Sequence, residues 1–262
     1  MNISFDEILS EVVESFPDGA EVFVLQIGAG DGITGDFLHA SLTLKRWRAL
    51  LLEPHPRAFE RLCTTYRDCP YVQCVQSAIA EHDGFNDLYA VRDTTGLPWW
   101  ADQIPSLRAD VIFSHETLIP DLKERVEVIS IPCQTIATLM TSFSFEHADI
   151  AAIDAEGLDA LIVSDMLKAG LLPQMILFEH KHLRHRERQS LISDLQVGYI
   201  LVDGPWDTLC VRRSSHTAQI LERCAICPDD SGTDQNGNVN VNVRDRVLAR
   251  DSMDIQTPAR GP

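Results

Sequence analysis

The sequence predicts an α/β protein, a parallel β-sheet with helices on both faces, finished at one edge by an antiparallel hairpin. Three observations carry this reading. Short, mainly apolar runs such as Glu21–Ile27 (EVFVLQI), Ala49–Leu52 (ALLL), Ile150–Ile153 (IAAI) and Met175–Phe178 (MILF) have the character of strands buried on both sides. Stretches of helical period separate them, as crossovers between parallel strands require. The last two strand-like segments, Gly198–Val202 and Thr208–Val211, lie too close for such a crossover and should pair antiparallel.

Along the chain, Phe5, Ile8, Leu9, Val12, Val13 and Phe16 form a helical stripe, and Ser4 with Glu7 has capping-box spacing, so residues 5–16 read as an amphipathic helix. Pro17, Asp18 and Gly19 end it before the first strand. GAGDG at Gly28–Gly32 follows directly, and Phe37, Leu38, Leu42 and Leu44 suggest a second helix. The strand Ala49–Leu52 ends on Glu53, a helix spans Pro56–Tyr66, and further strands read at Val72–Gln76, Asp87–Val91 and Arg125–Ile131. Residues 92–125 are irregular and hold Trp99 and Trp100. A short helix at Gln134–Thr141 precedes the strand Ile150–Ile153, which ends on Asp154. The helix Leu158–Ala169 stops at Gly170, the strand Met175–Phe178 ends on Glu179, and a helix near Glu187–Leu195 leads to the hairpin. Beyond Arg213 the periodicity fades into a polar, low-complexity stretch. The expected division is a folded domain over 1–213 and a disordered tail over 214–262.

Composition narrows the function. With 22 basic and 39 acidic side chains and a net charge of −17, the chain lacks the basic face that general nucleic-acid binding uses. No run approaches a membrane span, and Asp6, Glu7, Glu11 and Glu14 sit where a secretory signal needs a basic start and an apolar stretch. Seven scattered cysteines fit reduced thiols, so the expected location is the cytoplasm. Cys224 and Cys227 make one CxxC with no second pair to complete a zinc site.

A strand followed by a glycine cluster is where tightly turned backbone lets a nucleotide-like ligand approach. Glu53, at the end of the next strand, is placed to accept hydrogen bonds from both ribose hydroxyls. The dinucleotide pattern GxGxxG would need a third glycine at position 33, which is Ile33, and a pyrophosphate would be repelled by Asp31. S-adenosylmethionine has no phosphate and carries a cationic sulfonium, so Asp31 is compatible with it. The alternatives are an NAD(P)-dependent oxidoreductase and a non-catalytic module that keeps the cofactor fold.

VLQIGAGDG, LLLEPHP, IDAEGLD, ILFEHKHL and GYILVDGPWDTLCV, in this order, resemble the FkbM-type methyltransferases over roughly residues 20–213, and QIPSL at Gln103–Leu107 with His115 fits a branch of that family. The resemblance implies a Rossmann-like class I methyltransferase fold with a seven-stranded, mostly parallel sheet and an antiparallel terminal strand. It also implies methyl transfer from S-adenosylmethionine, usually to oxygen, on a small-molecule acceptor such as a sugar, a lipid or a secondary metabolite.

A hydroxyl acceptor needs a general base or a metal, and such groups belong at the carboxyl ends of the central strands. The expected catalytic set is Asp154, Glu156, Glu179 and His180, with Asp154 as base; Mg2+ bridging Asp154 and Glu179 is a further option. The expected cofactor contacts are Gly28, Ala29, Gly30, Asp31, Gly32, Glu53, Pro54, Ser77, Ala78 and Asp154. His182 reads as a structural hydrogen-bonding residue, and Asp207 and Thr208 as a brace of the sheet edge. Trp99 and Trp100 offer aromatic faces to an acceptor. Lys181, Arg184, Arg186 and Arg188 form a basic island, either a solvated helix face or an attractor for an anionic acceptor.

Overall fold

The computed structural model describes residues 4–19, 21–224 and 242–243. Helix α1 (Phe5–Glu14) starts at the expected capping box: the Ser4 hydroxyl accepts from Glu7 N at 3.2 Å and the Glu7 carboxylate accepts from Ser4 N at 2.7 Å. Strand β1 (Phe23–Ile27), β2 (Arg48–Leu52), α2 (Pro56–Thr65) and β3 (Val72–Val75) build one half of the main sheet. Then come β4 (Ala78–Ile79), β5 (Gly84–Val91), α3 (Ala109–Phe113), α4 (Leu122–Arg125), β6 (Val126–Gln134) and α5 (Ile136–Phe143). The other half holds β7 (Ile150–Ile153), α6 (Asp159–Lys168), β8 (Met175–Glu179), α7 (His185–Leu195), β9 (Tyr199–Asp203) and β10 (Asp207–Arg212), followed by α8 (Ala218–Cys224) and β11 (Asn242–Val243).

The main sheet runs β3-β2-β1-β7-β8-β10-β9, with the two residues of β11 added beyond β9. These seven strands are parallel except β10, which lies antiparallel between β8 and β9. This is the Rossmann-like class I methyltransferase topology. From β1 the chain passes to β2 on one side, while β7 joins β1 on the other, so the order reverses there and leaves a crevice at the carboxyl ends. Alternation divides the strand side chains between two cores. Val24 packs with Ile8, Val12, Trp47 and Leu62 under α1 and α2, while Leu25 and Ile27 pack with Ile162, Met166 and Leu195 under α6 and α7.

Three expectations change. The segment after the glycine cluster is turns and one π-helical turn, Ser41–Lys45, because Asp31 and Asp36 accept from the backbone of Ile33, Thr34 and Leu38, local bonds that compete with a helix. Strands β5 and β6 do not join the main sheet. They pair antiparallel with each other over Gly84–Val91, and β4 adds to β6 to make a separate three-stranded sheet. Packing also continues past Arg213, since Ala218 and Leu221 of α8 are buried in the core beneath α1. The chain beyond Cys224, apart from Asn242 and Val243, lies outside the described residues, and with it Cys227 of the CxxC and most of the expected tail.

Candidate functional site

A cavity of about 910 Å3 opens at the carboxyl ends of β1, β2, β7 and β8. Its size is at the upper end of the roughly 300–1,000 Å3 of small-molecule sites. Gly28, Ala29, Gly30, Asp31, Glu53 and Pro54 line it, as do Asp154, Glu156, Glu179 and Asp207.

The glycines divide the work. A Cβ on Gly28 would lie 1.7 Å from the carbonyl oxygen of Asp154, so this glycine lets β1 and β7 end side by side. Gly30 has open space around its Cβ position and faces the cavity with backbone alone. Gly32 does not line the cavity; its Cβ position is 2.6 Å from the Tyr66 ring, against α2. Asp31 is occupied within its own loop, accepting from Ile33 N, Thr34 N and the Thr34 hydroxyl. Glu53 is buried and accepts from Gly30 N and His55 N, both at 2.8 Å, so it ties the glycine loop to β2. Burial raises its pKa to about 7.

The carboxylate wall comes from the loop after β7, IDAEGLD. Asp159, fully buried, accepts from Ala155 N, Gly157 N and Glu179 N, joining this loop to β8. Two bonds come from the segment between β5 and β6: Ser106 Oγ donates to Glu156 O at 2.8 Å, and Arg108 Nη1 donates to Gly157 O at 3.1 Å. Glu156 is thereby held at a left-handed φ of 46°. Asp154 keeps accessible surface on the cavity side, yet the surrounding protein screens it from bulk water and lifts its pKa to about 6. Burial, reinforced by the neighbouring carboxylates, pushes Glu179 to about 10 and Glu156 well above the usual range. Lys181, also on the cavity wall, opposes both shifts.

His180 departs from expectation. Its Nδ1 lies 2.9 Å from Thr208 Oγ1, which donates to Asp203 at 2.8 Å, and its N–H donates to Trp206 O, so it braces the β8–β10 edge and does not line the cavity. His182 approaches the carboxylates instead, with Nε2 3.3 Å from Glu156 Oε2 and 4.0 Å from Glu179 Oε2. Of the pair expected to brace the edge, Thr208 does so while Asp207 lines the cavity. Ser77 also turns away, its hydroxyl donating to Ala78 O and Pro132 O; Ala78 does line the cavity. The basic island is dispersed: Arg184 pairs with Asp110 and Arg188 with Asp203. Both Trp99 and Trp100 line the cavity; Trp99 is exposed, and Trp100 packs against the His115 ring at 5.6 Å.

Residues 26–222 match the model of the methyltransferase FkbM domain, most of the chain and all of the site described above. The chain belongs to the FkbM methyltransferase family. No curated protein sequence matches it. Among solved structures it is similar to the FkbM methyltransferase of Methylobacillus flagellatus KT, at 14% identity and a TM-score of 0.45, with 73% of this chain and 43% of that chain covered. It thus spans less than half of that protein's length. It is also similar to Aeropyrum pernix fibrillarin solved with S-adenosyl-L-methionine, at 13% identity and a TM-score of 0.39, covering 78% and 72%. The precorrin-6y C5,15-methyltransferase of Geobacter metallireducens GS-15 gives 10% identity and a TM-score of 0.40, covering 79% and 88%. Within this FkbM domain, sequence reasoning missed Asp159 as organiser of the IDAEGLD loop and the cavity-facing position of Gln26, Asp36 and Lys181. The second acid of the motif was the available signal for Asp159.

Proposed function

We propose that this FkbM domain binds S-adenosylmethionine and methylates a hydroxyl oxygen of a small molecule. The observation that carries the reading is the convergence on one cavity of the Gly28–Gly30 backbone, Glu53 and the acidic side chains headed by Asp154. This lining fits the cofactor: bare backbone at Gly30 leaves room for it, and the Asp154 carboxylate, ionised at neutral pH, favours a cation. When bound, S-adenosylmethionine supplies an electrophilic methyl group and departs as a neutral thioether. Each Glu53 oxygen accepts one backbone hydrogen bond and keeps a lone pair for a ribose hydroxyl. Asp154, with a pKa of about 6, is mostly ionised at neutral pH and takes the proton that the acceptor hydroxyl loses as its oxygen attacks. The mixed rim of Trp99, Leu118 and Trp206, each more than half exposed, suits an acceptor with a ring or apolar face.

Further readings complete the proposal. Cys63, Cys69, Cys74, Cys133 and Cys210 are free thiols, in keeping with a reducing compartment, the cytoplasm. No helix among the described residues is long and apolar enough to cross a membrane. We assign the methyltransferase domain to the packed body including α8.

Calorimetric titration with S-adenosylmethionine and, separately, NADH tests the cofactor; binding of NADH alone overturns the reading. Incubation with hydroxylated metabolites should give a product one methylene heavier by mass spectrometry. Cofactor binding without any such product across sugars, lipids and phenols would favour a non-catalytic module.

A further inference from the structure

Three buried side-chain atoms converge beside the cavity, and none of them has a hydrogen-bond partner in the protein. Glu156 Oε2, Glu179 Oε2 and His182 Nε2 lie within 4.8 Å of one another. The 3.3 and 4.0 Å approaches of the imidazole are not aligned as hydrogen bonds. Glu179 is only 9% exposed and the His182 side chain 10%. Orphaned buried polar atoms are rare, and three facing a common point call for an occupant. A single ring proton on Nε2 could serve at most one of the two carboxylates at a time.

We propose that Glu156, Glu179 and His182 form a binding site for a divalent transition-metal cation. Ligand atoms about 2.1–2.2 Å from an ion are about 3.0 Å apart when cis in an octahedral shell and about 3.4 Å apart in a tetrahedral one. The His182 to Glu156 distance already falls in this range, and the His182 to Glu179 distance needs to close by about 0.6 Å to reach the tetrahedral spacing. Once the ion displaces their protons, the two carboxylates balance its charge. The imidazole selects Mn2+ or Zn2+ over Mg2+, which prefers an all-oxygen shell with retained water. The ring is available as a ligand because its Nε2 is buried without a hydrogen-bond partner. The ligands are also preset by their surroundings: Asp159 fixes Glu179 N and Gly157 N, Ser106 holds Glu156 O, and the His115 ring stands edge-on to His182 at 5.5 Å. Asp154 is not among the three atoms, so this set differs from a magnesium bridge between Asp154 and Glu179. The inference stands apart from the hydroxyl acceptor and from cofactor binding, since a metal can be titrated without turnover.

The test uses the full chain stripped with a chelator and dialysed. Mn2+ alone is the probe, since the thiols of Cys224 and Cys227 would compete for Zn2+. Loss of the free-ion paramagnetic resonance signal should report a single Mn2+ per chain, with Mg2+ a poor competitor. The spin-echo envelope of the bound ion should show nitrogen modulation from His182. His182→Gln should abolish that modulation and, like Glu179→Gln, weaken binding at least tenfold. If His182→Gln does not fold by circular dichroism, Glu156→Gln takes its place with the same expected loss of affinity. Mn2+ bound without nitrogen modulation, undiminished binding in the variants, or no binding at all overturns the proposal; the last result leaves a shared proton as the occupant.

Discussion

Replacing Gly28 with alanine should damage the fold, whereas the same change two residues later should damage binding. At Gly28 the new methyl would lie 1.7 Å from Asp154 O and 2.8 Å from Asp154 C, both backbone atoms that cannot rotate away. The ends of β1 and β7 would have to separate, which costs about 1–3 kcal/mol as overpacking. The φ of 81° adds about 1–2 kcal/mol for a residue with a Cβ. The sum is about 2–5 kcal/mol, a shift of the urea midpoint by roughly 1–2 M at an m-value near 2–3 kcal/mol/M. Gly30→Ala bears only the backbone term, about 1–2 kcal/mol at φ 57°, because nothing lies within 4 Å of its Cβ position. Its methyl would instead meet the ligand. Urea unfolding followed by circular dichroism, paired with calorimetric titration of S-adenosylmethionine, separates the two effects. A Gly28→Ala protein as stable as Gly30→Ala, or a Gly30→Ala protein with unaltered cofactor affinity, would refute the division of labour.

Three other outcomes follow from the site. Glu53 has a folded pKa of about 7 against 4.5 unfolded, so its contribution is complete below pH 4.5 and is lost as pH rises through 7. The ligand-free protein should lose up to about 3 kcal/mol over that interval, and Glu53→Gln should flatten this part of the urea-midpoint profile; an unchanged slope would count against the assignment. With Asp154 as base, kcat/KM should rise with pH through about 6 and level off above it, and Asp154→Asn should lower the plateau by roughly 10²–10⁴; a flat profile in the parent enzyme removes Asp154 from that role. Thr208→Val cuts the Asp203–Thr208–His180 chain and should cost about 1–3 kcal/mol of stability while cofactor affinity holds; a loss of affinity would return His180 to the site.

The main sheet was legible because its strands are apolar on both faces and its crossovers carry a helical period. The Ser4 cap was legible because its chemistry is local. The three-stranded sheet was not: β5 and β6 have mixed burial, and 34 residues separate them, so nothing local says that they pair with each other. At the site, the cavity positions of Asp154, Glu156, Glu179 and Glu53 follow from the strand ends on which the sequence places them. The histidine was misassigned for a reason the sequence contained. In extended chain, Glu179 and Lys181 share one face and His180 takes the other. Both Glu179 and Lys181 line the cavity, and the turn closed by Leu183 N to His180 O then brings His182 back towards it. The side-chain bonds from Ser106 and Arg108 to the β7–α6 loop span 50 and 49 residues, beyond any window of local pattern.

Strand β10 lies inside the sheet although it is the last of the seven in the chain. During synthesis, β8 therefore keeps an open edge while α7, β9 and the turn at Gly204–Pro205 are still being made. That edge carries the backbone of Met175–Glu179, an apolar run ending in a site carboxylate, and is a ready template for a strand from another chain. Its protection arrives only with residues 207–212, whose Asp207 completes the cavity wall as Thr208 locks the edge. Closure of the crevice and removal of the aggregation hazard are thus one late event, and a chain ending shortly before Asp207 would have neither.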